Sequence, residues 1–366
     1  MEEVRYLKAI RKKLQGKKVC IFPMGVGGKT MRDRLTSRGI HIDFFCDNKE
    51  SIWNSAYHGT KCISYPQLTE MNSSEVMVII ESSSYYEAIK EQLFQDGITN
   101  CMRIFFEKVY AEEYIREHDD SIAEQIDNVM DILEDEKSRE VYGRLTDAWK
   151  MANVPDNYFR KICSANQYFE KEIIGCPNTW GKVFVDCGAY IGDSAMEFIK
   201  ASHGNFQKMH LFELDPDIYK ELLSNAANMQ KDNRGIIQCY PYGVSNKNQD
   251  ITFTSGERNS SIDSSTDVAN GISKARPGKV KVLDDILVDE EVTFIKMDIE
   301  GAEHDALEGA RGIIASRKPI LAICIYHSPQ DMLELPVFIK SLYPEYKIYI
   351  RHYTEVMFET VCYAIP

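Results

Sequence analysis

An α/β fold built on parallel sheets is predicted for most of this chain, from three observations. Short apolar runs alternate with amphipathic helical segments in two separate regions, 17–108 and 179–366. A glycine-bearing turn follows the first strand of each region, PMGVGG in one and CGAYIG in the other. Between them, 109–178 carries no strand signal. Alternation at this spacing implies parallel strands joined by crossover helices.

Composition narrows the function classes. At 366 residues the chain can form two or three domains, and 44% apolar with 27% charged residues is a globular balance. A formal charge of −13 argues against a nucleic-acid binder, which needs clustered Lys and Arg. No run approaches the length of a membrane span. The first eighteen residues, MEEVRYLKAIRKKLQGKK, lack the apolar core of a signal peptide. The ten cysteines are scattered without a Cys-x-x-Cys, and most sit in strand-like runs as small hydrophobes. A reduced, cytoplasmic protein with neither zinc ribbon nor disulfide framework is expected.

In the first domain, 1–108, the order is KKVCIF, the glycine turn, a helix, IHIDFFCDN, EVMVII, a helix near 85–96 and a strand near CMRIFF. Its turn aligns loosely with Gly-x-Gly-x-x-Gly through Gly25 and Gly28, with Asp47 about twenty residues later. Pro23 stands where the first glycine belongs and removes both a donor and φ freedom. A phosphate loop ending in Lys29 and Thr30 fails at the same proline. The run, with FFCDN and HGTKCISYPQL, resembles Rossmann-like N-terminal domains of some sugar-modifying enzymes. A structural, oligomerising or substrate-presenting module is the favoured reading.

The helical connector, 109–178, includes SIAEQIDNVMDILEDEKSREVYGRL, with Ile122, Ile126, Val129, Ile132 and Leu133 at helical spacing among acids. From 179 the strands KVFVDCG, KMHLFELD, GIIQCYPYGV, TFIKMDI, ILAICIY, KIYIRHY and TVCYAIP follow, with helices after the first, second and fourth. The last two read as an antiparallel hairpin closing the sheet edge. QDITFTSGERNSSIDSS reads as an extra hairpin and a polar loop; Ser260 and Ser261 suit acceptor binding or a lid.

The second glycine turn is the better motif. VFVDCGAYIGDS puts Asp186 at a strand end, Gly188 in the turn and Gly192 where a helix begins. Glu213 ends the next strand, where an acid can accept both ribose hydroxyls of an adenosine. Asp186 would repel a pyrophosphate but suits the sulfonium and ammonium of S-adenosylmethionine. The turn by itself decides only partly between that cofactor and a dinucleotide.

VFVDCGAYIGDS, LFELDPD, LLSNAAN, VKVLDDIL and above all FIKMDIEGAEHDALEGA resemble the FkbM family of S-adenosylmethionine-dependent methyltransferases, in order over about 183–328. The resemblance implies a class I methyltransferase fold over 179–366, a seven-stranded, mostly parallel sheet with an antiparallel edge hairpin. It also implies O-methylation of a sugar or natural-product hydroxyl. Asp186, Gly188 and Gly192 would take the amino-acid end of the cofactor and Glu213 its ribose. Tyr190 replaces the family's common asparagine, where it either covers the cofactor or packs.

Methyl transfer to oxygen needs alignment of acceptor and methyl carbon, and removal of the hydroxyl proton. Asp298, at the tip of the fourth strand, is the first candidate for catalysis, against a plain capping role. Glu300 is the second, although the helix dipole also favours acids there. Glu303 and His304 read as structural. His327, at the tip of ILAICIY, is a candidate general base. His352, ending the next strand, is a weaker candidate for the acceptor pocket. Asp298, Glu300 and His327 would suit a magnesium-type site, but their spacing does not require a metal and none is assigned. The expected partner is a small-molecule or glycan substrate, with a homodimer compatible with the added domain. Two other readings stay open: an NAD(P)-dependent oxidoreductase or nucleotide-sugar enzyme using the first domain, and a non-catalytic S-adenosylmethionine-binding scaffold.

Overall fold

The computed structural model describes residues 3–82, 85–151, 153–255, 260–261 and 274–366. Contacts divide the chain into two compact units, 1–113 with 149–158, and 114–148 with 159–366. The helical stretch 109–178 is therefore shared between them.

The first unit is built on six strands: β1 Lys18–Phe22, β2 Phe44–Asp47, β3 Ala56–Tyr57, β4 Thr60–Ser64, β5 Val76–Ile80 and β6 Cys101–Met102. Their order is β3-β4-β2-β1-β5-β6, parallel except for the β3–β4 hairpin. Helices α1 Arg5–Leu14, α2 Val26–Ser37, α3 Tyr65–Thr69 and α4 Tyr86–Gln95 belong to it. KVCIF and VMVII are continuous apolar runs because both faces of a parallel sheet are covered. The short strand β4 escapes the sequence pattern, since TKCIS holds only two apolar residues.

Two long helices follow, α5 Phe106–Ile132, with non-helical φ/ψ at His118, and α6 Glu136–Lys150. Asp135 starts α6 by accepting the Ser138 N–H at 2.8 Å, one of the donors that a helix start leaves unpaired. Short helices α7 Lys171–Ile174 and α8 Pro177–Trp180 lead into the second sheet.

That sheet has seven strands: β7 Val183–Cys187, β8 Lys208–Phe212, β9 Ile236–Tyr240, β14 Phe294–Met297, β15 Ile320–Cys324, β16 Lys347–His352 and β17 Thr360–Ile365. The order is β16-β17-β15-β14-β7-β8-β9. β17 lies between β15 and β16 and is antiparallel to both, so the terminal hairpin closes the sheet with its second strand inserted. Crossovers run through α9 Asp193–Ala201, α10 Pro216–Asp232, α11 Leu283–Ile286, α12 Glu303–Glu308, α13 Arg311–Arg317 and α14 Pro329–Leu342. A helix after β15 was not expected from the sequence. Pro329 and Pro336 disguise α14: Pro329 sits at the helix start, where no N–H is needed, and Pro336 is buried inside.

A four-stranded sheet, β10-β13-β11-β12, sits in the insertion, formed by β10 Gly243–Val244, β11 Gln249–Ser255, β12 Ser260–Ser261 and β13 Lys274–Lys281. The expected hairpin is β11 with β12, antiparallel. The polar loop proposed for acceptor binding lies, apart from the backbone of Ser260 and Ser261, outside the described residues. Among the described residues no helix is long and apolar enough to cross a membrane.

The core of the second unit is aromatic: Phe169, Trp180, Phe184, Phe198 and Phe294 pack together, Phe184 stacking on Phe198 with centroids 4.3 Å apart. Phe169 comes from the stretch read as a connector, yet is 5% exposed and touches Trp180, Phe184, Phe198 and Phe294. Phe169→Ala should therefore destabilise this unit by about 3–5 kcal/mol. Urea unfolding followed through Trp180 fluorescence measures it, and a loss below about 1 kcal/mol would show that the segment is not part of the core.

Candidate functional site

At the carboxyl ends of β15, β14, β7 and β8 the predicted site residues come together in strand order: His327, Asp298, the turn 188–192, and Glu213. Parallel register sets the first contact. Lys296 on β14 lies opposite Asp186 on β7. Its Nζ reaches Asp186 Oδ1 at 3.0 Å and donates to the Gly188 carbonyl at 2.8 Å. Ser194 Oγ donates to Asp186 Oδ2 at 2.5 Å. Burial alone would lower the Lys296 pKa, but the charges of Asp186 and Asp298 hold it above its ordinary value. Asp186 is wholly buried, with one oxygen on Lys296 and the other on Ser194. The sequence placed Asp186 against the cofactor; in the structure it also anchors the turn, because Lys296 shares its face of the sheet.

Gly188 could be no other residue. Its φ is +77°, and a Cβ there would lie 2.0 Å from the Asp298 carbonyl oxygen. The turn is thus pressed against the tip of β14. Gly192, at φ +91°, starts α9. Tyr190 is left-handed at φ +47°, and its N–H donates to Glu213 Oε2 at 3.0 Å. Glu213 Oε1 accepts the Asp215 N–H at 2.8 Å. Burial pushes the Glu213 carboxyl up to about 7, opposed by these two N–H groups.

Asp298 is held by two tyrosines that sequence reasoning missed. Tyr168 donates to Oδ2 at 3.0 Å and Tyr326 to Oδ1 at 3.1 Å. His327 Nε2 is 3.2 Å from Oδ1. Burial would raise Asp298, but His327, Lys296 and Tyr168 hold it well below the usual carboxylate range. Tyr326 adjoins His327 at a strand tip, a position that could have flagged it. Tyr168 lies in a stretch with no strand signal, and nothing local marks it.

His327 is buried between acids, with Nδ1 3.2 Å from Glu303 Oε1 and Nε2 3.8 Å from Glu300 Oε2. Burial would lower its pKa, but the Glu303 charge and then Asp298 hold it well above the ordinary histidine value. The sequence reading made His327 a candidate general base; in the structure both of its ring nitrogens face carboxylate oxygens. Glu303, expected to be structural, is fully buried and accepts the Ile299 N–H at 2.8 Å. Glu300 is 30% exposed at its side chain, and burial, with Asp298, Glu303 and Glu359 nearby, pushes its carboxyl up to about 7 against His327. His352 is wholly buried, its Nδ1 2.8 Å from Thr360 Oγ1.

Strain is concentrated here. Tyr168, Tyr190, Glu300 and Glu359 all have positive φ, each at a cost of about 1–3 kcal/mol.

With this geometry in view, the comparison with known families is decisive for one region. Residues 186–349 match the methyltransferase FkbM domain. The match supports a methyltransferase and bears out the FkbM resemblance carried by the motifs. A methyltransferase FkbM from Methylobacillus flagellatus KT is similar over 97% of this chain and 93% of its own, at 22% identity and a TM-score of 0.72, which shows the fold. A precorrin-6y C5,15-methyltransferase from Geobacter metallireducens GS-15 aligns over 50% of this chain and 77% of its own, at 12% identity and a TM-score of 0.29, too low to carry any argument. No curated protein matches the chain. Asp186 to His327 lie within the matched residues; Tyr168 lies before them.

In the first unit, Gly25 precedes α2, and a Cβ on Gly28 would fall 2.1 Å from the Pro23 carbonyl oxygen. Asp47 accepts the Met24 N–H at 2.9 Å and the Lys49 N–H at 2.8 Å, so both its oxygens already hold the local backbone.

Lys296→Met should leave Asp186 buried without its partner and cost about 3–5 kcal/mol. Adding Asp186→Asn should recover at least about 1 kcal/mol of that. Unfolding midpoints of the two single variants and the double variant measure the coupling; strict additivity would mean the pair is not joined as described.

Proposed function

We propose that the FkbM domain transfers a methyl group from S-adenosylmethionine to a hydroxyl of a carbohydrate or natural-product acceptor. The supporting observation is the order of groups across adjacent strand tips: Glu213 on β8, the glycine turn on β7 and Asp298 on β14. Ligands bind in such sheets outside the carboxyl ends of the strands, where the order reverses, and here it reverses at β14–β7–β8.

Each group has a task. Glu213 keeps a lone pair on each oxygen for the two ribose hydroxyls. The backbone of 188–192 receives the amino-acid portion, and Tyr190, half exposed beside Glu213, borders the adenosine. Asp298, fixed by Tyr168 and Tyr326, faces the sulfonium and its methyl group. In the transfer an acceptor oxygen lone pair attacks the methyl carbon, the C–S electrons return to sulfur, and S-adenosylhomocysteine leaves. The hydroxyl proton passes to Glu300, the partly exposed acid that no tyrosine holds. His327 orients Asp298. The scattered cysteines support a cytoplasmic location.

Calorimetry with S-adenosylmethionine and S-adenosylhomocysteine tests this reading, and failure of both to bind would end it. Glu213 supplies a finer check. Two hydroxyl donors need the carboxylate, so affinity should be level above about pH 8 and fall by up to about tenfold per unit below pH 7. Glu213→Gln should bind about 10–100-fold more weakly at pH 8. Its affinity should hardly change between pH 6 and 8; an undiminished pH dependence in the variant would remove Glu213 from the ribose.

A further inference from the structure

We propose that Asp298, Glu303 and His327 bind a divalent metal ion of the first transition row. One ligand atom from each of the three lies within 4.8 Å of the others, a spread that one ion can bridge. The cluster contains more than acids. Three buried atoms in it make no hydrogen bond: Nδ1 and Nε2 of His327 and Oε2 of Glu303. The His327 side chain is 7% exposed and that of Glu303 is wholly buried. Both ring nitrogens lie 3.2 Å from a carboxylate oxygen, yet off the geometry of a hydrogen bond.

Buried polar atoms are almost always partnered, so three orphans at one point indicate a missing partner. The charges say of what kind. Asp298, Glu300, Glu303, Asp331 and Glu359 surround the ring, and the lysine here, Lys296, is already paired with Asp186. A divalent cation on Asp298, Glu303 and one ring nitrogen of His327 offsets that charge and gives Glu303 Oε2 and that nitrogen a partner. Oxygen donors alone would suit magnesium or calcium, whereas an imidazole nitrogen shifts the preference toward manganese, iron or zinc.

Placement gives the ion a use. Asp298 and His327 are the tips of adjacent strands, on the side where the acceptor must approach the methyl group. A metal there would take the acceptor hydroxyl as a ligand, favouring its ionised form and fixing its direction. That role rests on the methyltransferase reading above; the binding of metal does not.

The experiment uses the full chain, stripped with a chelator, titrated with manganese(II) in the absence of S-adenosylmethionine. One ion per chain is expected, with pulsed paramagnetic resonance showing coupling to an imidazole nitrogen. His327→Ala and Glu303→Gln should each weaken binding by about 10–100-fold. No bound manganese, no nitrogen coupling in the wild-type protein, or unchanged affinity in both variants would overturn the site. The resonance measurement needs no variant, so misfolding of either cannot mask the result. The separate S-adenosylmethionine titration shows whether the methyltransferase reading fails with it or stands alone.

Discussion

The ion pair between Lys296 and Asp186 is the contact on which the rest of the site depends. It joins the central strands β14 and β7 at their carboxyl ends, and through the Gly188 carbonyl it fixes where the turn begins. The cost of burying two charges is offset by their mutual attraction at 3.0 Å and by the hydrogen bonds to Ser194 and to that carbonyl. Once the turn is set, Gly188 must lie against the Asp298 backbone, and the acid at the tip of β14 cannot drift from the turn. Positioning of this kind suits methyl transfer, in which alignment accounts for much of the rate.

The second constraint is charge. The segment from Asp298 to Glu303 places three acids beside a strand end, and α14 and the β16–β17 turn add Asp331 and Glu359. Burial penalises each of them, as the upward shifts of Glu300, Asp331 and Glu359 show. Only Asp298 moves the other way, because His327, Lys296 and Tyr168 outweigh its burial. A fold that gathers so many acids, and strains Glu300 and Glu359 into left-handed backbone to do so, concentrates negative potential at one point of the cleft. Such potential favours a sulfonium, a metal ion, or both.

Much of this was legible in the sequence. Parallel strands buried on both faces are continuous apolar runs, which is why VFVDC, HLF, FIKM and ILAIC stood out, along with the acids and glycines that end them. What escaped depends on register and distant partners. Lys296 looked like one letter of a motif, since its pairing with Asp186 needs strands 110 residues apart laid side by side. The contact that Asp186 makes with Lys296 was hidden for the same reason. Tyr168 was invisible, as a residue of an irregular segment whose hydroxyl meets Asp298 far along the chain. His327 was placed at its strand tip, but its contact with Glu303, read as a helix residue, depends on how the strand tip and the helix start meet.

Glu303 shows how capping and chemistry combine. An acid in the first turn of α12 is favoured by the helix dipole whatever else it does, and its Oε1 does take a backbone N–H, from Ile299. A capping acid, however, is ordinarily at the surface, where water serves its second oxygen. Here the carboxyl is wholly buried, its second oxygen has no partner, and the ring of His327 stands 3.2 Å from the first. Capping explains one lone pair of this group and leaves the burial unexplained. A helix start can be capped by serine or threonine at no such cost, so the choice of a buried glutamate points to what lies beyond the helix: His327, and through it Asp298.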